Sequence, residues 1–116
     1  MQYLLMLYSD ESGFNAMTQA QQREGVAAYT AFTEALIKAD ALKGSNRLAS
    51  SSVATTVRIA NGKTEVLNGP FADSKEQLGG YFLIEAADLD VALAWAARCP
   101  TASHGLVEVR PLWSAP

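Results

Sequence analysis

Residues 67–86, LNGPFADSKEQLGGYFLIEA, restrict the folds open to this chain more than any other stretch. Pro70 removes a backbone donor and keeps Gly69 out of the α region, so strand pairing that arrives here has to stop. Further on, Gly79-Gly80 opens the apolar run Tyr81–Glu85, too short for a buried helix and rich in strand-forming side chains. Paired glycines at the head of a strand mark a bulge, or a close approach by another backbone or a ligand. Between turn and strand, Asp73-Ser74-Lys75-Glu76 has the pattern of a capping box and predicts one helical turn. The rest of the chain has to bury that strand and hold that turn.

The flanking segments can do so. Gln2–Tyr8 is an apolar run of strand length, closed by the polar loop Ser9–Ala16. Thr18-Gln19-Ala20-Gln21 is a capping box, and the helix it starts is predicted to run to about Leu42. Ala28, Tyr29, Phe32, Leu36 and Ala39 recur on one face of it, and Lys43-Gly44 supplies its stop, with Gly44 as the left-handed cap. Ser45–Ser52 reads as a serine-rich loop. Val53–Ala60 and Lys63–Leu67 flank Asn61-Gly62, the strongest short hairpin signal, since both turn residues tolerate positive φ. Asp88 caps a second helix, Leu89–Arg98, which Pro100 ends, and Gly105–Leu112 alternates as a final strand.

Strand, long helix, hairpin, strand, short helix, strand is the order of an α+β sandwich of ferredoxin-like type. It has one antiparallel sheet with two helices on one face. Tyr3, Leu5 and Leu7 alternate with Leu4, Met6 and Tyr8, so the first strand is apolar on both sides. Helices cover one side only, and a second copy of the sheet is the simplest cover for the other.

Length and composition agree with a single domain over residues 1–116. The chain is 49% hydrophobic and 18% charged, too apolar for disorder. A net charge of −3 with no run of Lys or Arg argues against nucleic acid as a partner. Cys99 is the single cysteine, so an internal disulfide and a thiolate metal site are both excluded. The opening MQYLLMLYSDE has too few apolar residues for a membrane span and no basic leader, which predicts a cytoplasmic protein.

Few residues suggest chemistry. His104 is the single histidine and the default general base, yet no carboxylate stands near it in sequence, which favours an exposed loop residue. Metal binding needs several convergent ligands, and none is predicted. Asp73, Lys75 and Glu76 either line the mouth of a pocket, with Lys75 receiving an anion, or cap a turn in solvent. Glu108 and Arg110 share a face of the last strand, either as an inward pair or as solvated charges. Tyr8, Tyr29 and Tyr81 offer hydroxyls to a ligand, or sit in the core with the hydroxyl at its boundary. Cys99, between an apolar helix and a proline, reads as a small buried hydrophobe.

YLLMLY, VATTVRIANGK, the block NGPFADSKEQLGGYFLIEAADLDVALAWAARCP and VEVRPL together make the chain resemble the YCII-related family. The resemblance is to the branch marked by an Asp-Gly-Pro-Phe motif, and it runs nearly end to end. It implies a ferredoxin-like fold whose sheets pair across a homodimer into an α+β barrel. Two positions depart from the pattern: Asn68 stands for the motif's aspartate, and Tyr29 for a histidine found on the first helix. The resemblance implies, for relatives that use a histidine–aspartate pair, chemistry on cyclic or aromatic compounds; this chain has neither partner at the matching positions. The branch's association with extracytoplasmic-function sigma factors implies a part in transcriptional control.

Two functions follow. The first is a homodimeric barrel that binds a small cyclic or anionic molecule beside the Asn68–Glu76 loop, with lyase- or isomerase-type chemistry as its catalytic form and no cofactor. Its ligand contacts would be Tyr8, Tyr29, Asp73, Lys75, Glu76, Tyr81 and Arg110. The alternative is a non-catalytic partner or modulator in sigma-factor control, which predicts an exposed apolar patch outside the dimer interface.

Overall fold

The structure, a computed structural model, describes residues 1–114. Four strands form the main sheet: β1 (Gln2–Ser9), β2 (Leu42–Arg47), β5 (Gln77–Glu85) and β6 (Leu106–Pro111), in the spatial order β2-β5-β1-β6, with every neighbouring pair antiparallel. Helices α2 (Gln19–Lys38) and α3 (Leu89–Arg98) cross over between these strands. This is the ferredoxin-like sandwich, with the hairpin β3 (Thr55–Ala60) and β4 (Lys63–Asn68) inserted between β2 and β5. A third helix, α1 (Glu11–Asn15), occupies part of the expected Ser9–Ala16 loop. Asp10 caps it by accepting from the Ser12 amide at 3.0 Å, a local bond that favours a helix start.

The core lies between the sheet and the two long helices. Tyr3, Leu5 and Leu7 of β1 and Phe82 and Ile84 of β5 point into it, meeting Phe32 and Leu36 of α2 and Ala92 and Ala96 of α3. Phe32 stacks edge-on against Phe82 at 5.1 Å between ring centroids, which fixes how α2 lies on the sheet. Cys99 is buried beside them, as its sequence position suggested. Both predicted caps form: the Gln21 amide donates to the Thr18 hydroxyl at 3.1 Å, and the Val91 amide donates to the Asp88 carboxylate at 2.9 Å.

The α2 helix stops earlier than its pattern suggests. Asp40 takes the left-handed conformation at φ 56°, with the Ala41 amide donating to the Leu36 carbonyl and the Asp40 amide to the Ile37 carbonyl. That is a Schellman cap with aspartate in the place usually held by glycine. Gly44 is therefore not a cap; it belongs to β2, an edge strand that the sequence reading assigned to helix end and loop. The segment at Asp73–Glu76 is likewise no helical turn. The Ser74 hydroxyl donates to the Glu76 carbonyl instead of accepting from an amide, because β5 already begins at Gln77 to pair with Ser9.

Both expectations for the paired glycines are met by backbone. Leu7 faces Gly80 and Tyr8 faces Leu78, so Gly79 is the extra residue of a bulge. A Cβ on Gly80 would lie 2.8 Å from the Asn46 carbonyl oxygen of β2. The hairpin turn is as predicted, with Asn61 at φ 52° and Gly62 at φ 74°.

Candidate functional site

Among the described residues, none forms a layer over the sheet's second face. Cross-strand register places Leu4 beside Leu83 and Arg110, Met6 beside Tyr81 and Glu108, and Tyr8 beside Leu106, all pointing away from the helices. Leu4, Met6, Tyr8, Tyr81 and Leu83 are each half-buried, a continuous apolar stripe one strand pair wide. Polar groups frame it. The Asn46 side-chain amide donates to the Tyr81 hydroxyl at 2.9 Å on one side, and Arg110 meets Glu108 at 2.6 Å on the other. Arg110 is 71% exposed, so within one chain this pair is solvated and contributes little. Tyr8, Tyr81 and Arg110 thus lie on one surface.

The other residues read as ligand contacts lie elsewhere. Asp73 and Lys75 are exposed and Glu76 half-buried, on the segment that leads into β5 at the Tyr8 end of the sheet. Lys75 is near enough to Asp10 to help its Ser12 hydrogen bonds hold that carboxyl below the usual range. Tyr29 is on the opposite side, in α2, packed against the core. Its hydroxyl is hydrogen-bonded to the Thr101 hydroxyl at 2.5 Å. Burial pushes the Tyr29 phenol up, the Thr101 bond and the nearby Arg47 charge pulling the other way, and burial also raises the Cys99 thiol. Arg47 stacks on the Phe14 ring at 4.8 Å. The sheet therefore separates Tyr29 from Tyr8 and Tyr81.

His104 is exposed, its Nδ1 3.5 Å from the Ser103 hydroxyl. Among the described residues no group of three His, Cys, Asp or Glu gathers into a metal-ligating cluster. No helix among them is long and apolar enough to cross a membrane.

A cleft of about 590 Å³ opens at the Asn68–Phe71 turn. Its walls are Asn68, Pro70 and Phe71 on the turn side, and Val57, Arg58 and Leu67 on the hairpin. Proline ends β4 there as expected, and Gly69, at φ +99°, lets the chain reverse. The turn is pinned to the root of the hairpin: the Gly69 amide donates to the Ala54 carbonyl at 2.7 Å, and the Thr56 hydroxyl donates to the Gly69 carbonyl at 2.8 Å. Arg58 supplies a cation, paired to Glu65 at 2.9 Å, and Phe71 supplies an aromatic ring that is 89% exposed. Sequence reasoning placed a cleft beside this loop but chose Asp73, Lys75 and Glu76 for its lining. The overlooked signal is that a hairpin flowing straight into a non-helical turn must fold its own strands against that turn.

Comparison with known proteins fits this architecture. The YCII-related domain matches residues 1–115. An uncharacterized protein of Rhizobium meliloti (strain 1021) is 38% identical over 114 residues, covering 97% of this chain and 92% of its own. Among solved structures, the 5-chloro-2-hydroxyhydroquinone dehydrochlorinase TftG of Burkholderia phenoliruptrix AC1100, in complex with 2,5-dihydroxybenzoquinone, superposes with a TM-score of 0.59. It is 14% identical, and the match covers 99% of this chain and 96% of that one, a likeness of fold. With a domain match along nearly its whole length and a relative at that level of identity, the chain belongs to the YCII-related family.

Proposed function

We propose that the protein is a homodimeric α+β barrel that binds a small cyclic, anionic molecule in the cleft at the Asn68–Phe71 turn. In this reading it is a cytoplasmic member of the Asp-Gly-Pro-Phe branch, with Asn68 in the aspartate's place. The cleft is the observation that carries the reading. Its volume suits a single-ring ligand, and it offers one aromatic ring and one guanidinium, the groups that stack on and neutralise a cyclic anion. Pairing of two open sheet faces would add Tyr8, Tyr81 and Arg110, with Lys75, Asp73 and Glu76 at the rim.

Binding is better supported than turnover. The groups whose ionisation the fold perturbs, Asp10, Tyr29 and Cys99, do not line the cleft. Lyase- or isomerase-type chemistry draws its support from the dehydrochlorinase of like fold. A suitable probe is 2,5-dihydroxybenzoquinone, titrated calorimetrically. Arg58→Ala, Lys75→Ala and Arg110→Ala should each weaken binding roughly tenfold while the melting temperature stays nearly unchanged. Affinity unchanged from wild type in all three variants would sink the site. The second reading, a non-catalytic modulator in sigma-factor control, draws on exposed apolar side chains of the hairpin; failure to retain an extracytoplasmic-function sigma factor in a pull-down counts against it.

A further inference from the structure

Asn-Gly occurs twice in the chain, at 61–62 and 68–69, once at each end of β4. The dipeptide can modify itself. With no side chain on the second residue, its amide nitrogen can approach the asparagine side-chain carbonyl carbon. A bond forms between those two atoms, ammonia leaves, and the product is a cyclic succinimide. Water then opens either imide carbonyl, giving aspartate, or isoaspartate, in which the main chain runs through the side-chain carbon. The reaction needs a glycine amide that is free and a backbone that can bend toward it.

The fold treats the two pairs oppositely. Asn61-Gly62 is the tip of an arm, because β3 and β4 form a two-stranded sheet apart from the main one. Both tip residues are exposed, and a Cβ on Gly62 would meet nothing within 4 Å. Among the described residues no group accepts from the Gly62 amide. Asn61 is held in the left-handed region at φ 52°, which costs a residue with a side chain some strain. A lone two-stranded hairpin is marginal in water, so its tip opens easily. Asn68-Gly69 is the root of the same arm. Asn68 pairs with Thr55 in the ladder. The Gly69 amide, the nitrogen that would have to attack, donates to the Ala54 carbonyl at 2.7 Å, and the Thr56 hydroxyl holds the Gly69 carbonyl at 2.8 Å.

We propose that Asn61 is a site of spontaneous deamidation, and that the Ala54 and Thr56 bonds shield Asn68 from the same reaction. At the tip, isoaspartate adds a main-chain carbon to the two-residue turn that joins Ala60 to its partner Lys63, and either product adds a negative charge. At the root, the same change would put a carboxylate into the wall of the cleft that Arg58 also lines, where it would repel an anion. The bonds to Gly69 keep that wall neutral.

Timed incubation of the full chain in mildly alkaline buffer tests this, with circular dichroism to show that it stays folded. Tryptic cleavage after Arg58, Lys63 and Lys75 puts the two asparagines in separate peptides, residues 59–63 and 64–75, for mass spectrometry. In the folded chain Asn61 should be converted at least roughly tenfold faster than Asn68, since two hydrogen bonds must break to free Gly69. In concentrated urea those bonds are gone, and the two rates should agree within about twofold. Hydroxylamine, which cleaves the chain at a succinimide, should cut the aged folded protein between Asn61 and Gly62. Thr56→Val should speed conversion of Asn68 severalfold and leave Asn61 as it was. Equal rates in the folded chain overturn the inference. A preference for Asn61 that persists in urea also overturns it, because the difference would then come from neighbouring residues and not from the fold. An Asn61 that stays intact in the folded chain over a time that converts it in urea does the same. An Asn68 rate unmoved by Thr56→Val overturns the part given to that hydroxyl.

Discussion

At the scale of single residues, Tyr29 shows how a side chain that looks available to a ligand can be committed to the fold. Its hydroxyl meets Thr101, which is 2% exposed and otherwise buried. Tyr29→Phe therefore takes one hydrogen bond from a buried hydroxyl and should cost about 1 kcal/mol in chemical denaturation. The Tyr29 phenol and the Cys99 thiol are both raised by burial, so the fold favours their neutral forms. Their contribution is complete below the unfolded ionisation range and is lost as pH climbs through the folded values. The melting temperature should accordingly fall above about pH 9, less steeply in Tyr29→Phe than in wild type. Sequence located this tyrosine on the core-facing stripe of the helix, but Thr101, seventy-two positions away, became its partner only through tertiary packing. The same limit applies to glycine. Gly79-Gly80 announced itself as a pair, whereas Gly105, where a Cβ would lie 2.1 Å from the Tyr8 carbonyl, has no neighbour that marks it.

Among elements, those with a strong local signal were legible: the Thr18 and Asp88 caps, the Asn61-Gly62 turn and the stop at Pro70. The errors cluster where a long-range ladder outweighed local preference. β2, with the sequence Leu42-Lys43-Gly44-Ser45-Asn46-Arg47, has no alternation of apolar residues and is a strand because β5 needs an edge partner. Its recruitment forces α2 to end at Lys38 and puts Asp40 in the left-handed region. Glycine adopts that conformation without strain, so Asp40→Gly should stabilise the protein by about 1 kcal/mol, read as a shift in the urea midpoint at unchanged slope. A loss of stability would show that the Asp40 carboxylate has a role beyond the cap.

For the molecule as a whole, the arrangement is a slab with extents of 49 × 48 × 18 Å. One interior layer is covered on both sides, and the second sheet face and the arm are not. This was half visible in sequence: the two-sided β1 pointed to an uncovered face, while the arm's separation from the main sheet depends on where β2 and β5 join. If the open sheet face is completed by a second copy, stability is tied to protein concentration. The melting temperature should rise by several degrees between about 1 and 100 μM chain in calorimetry, and a flat series would indicate a self-sufficient monomer.

The insertion point of β3–β4 has one more consequence. β2 and β5 are adjacent antiparallel strands, and the whole excursion between Arg47 and Gln77 leaves and returns at the same end of the sheet. A tight reverse turn spliced across that gap would preserve every ladder of the sandwich, so the four-stranded scaffold and the hairpin are separable modules. Changes of length or sequence in the hairpin are therefore open to the chain without rewriting how the scaffold folds.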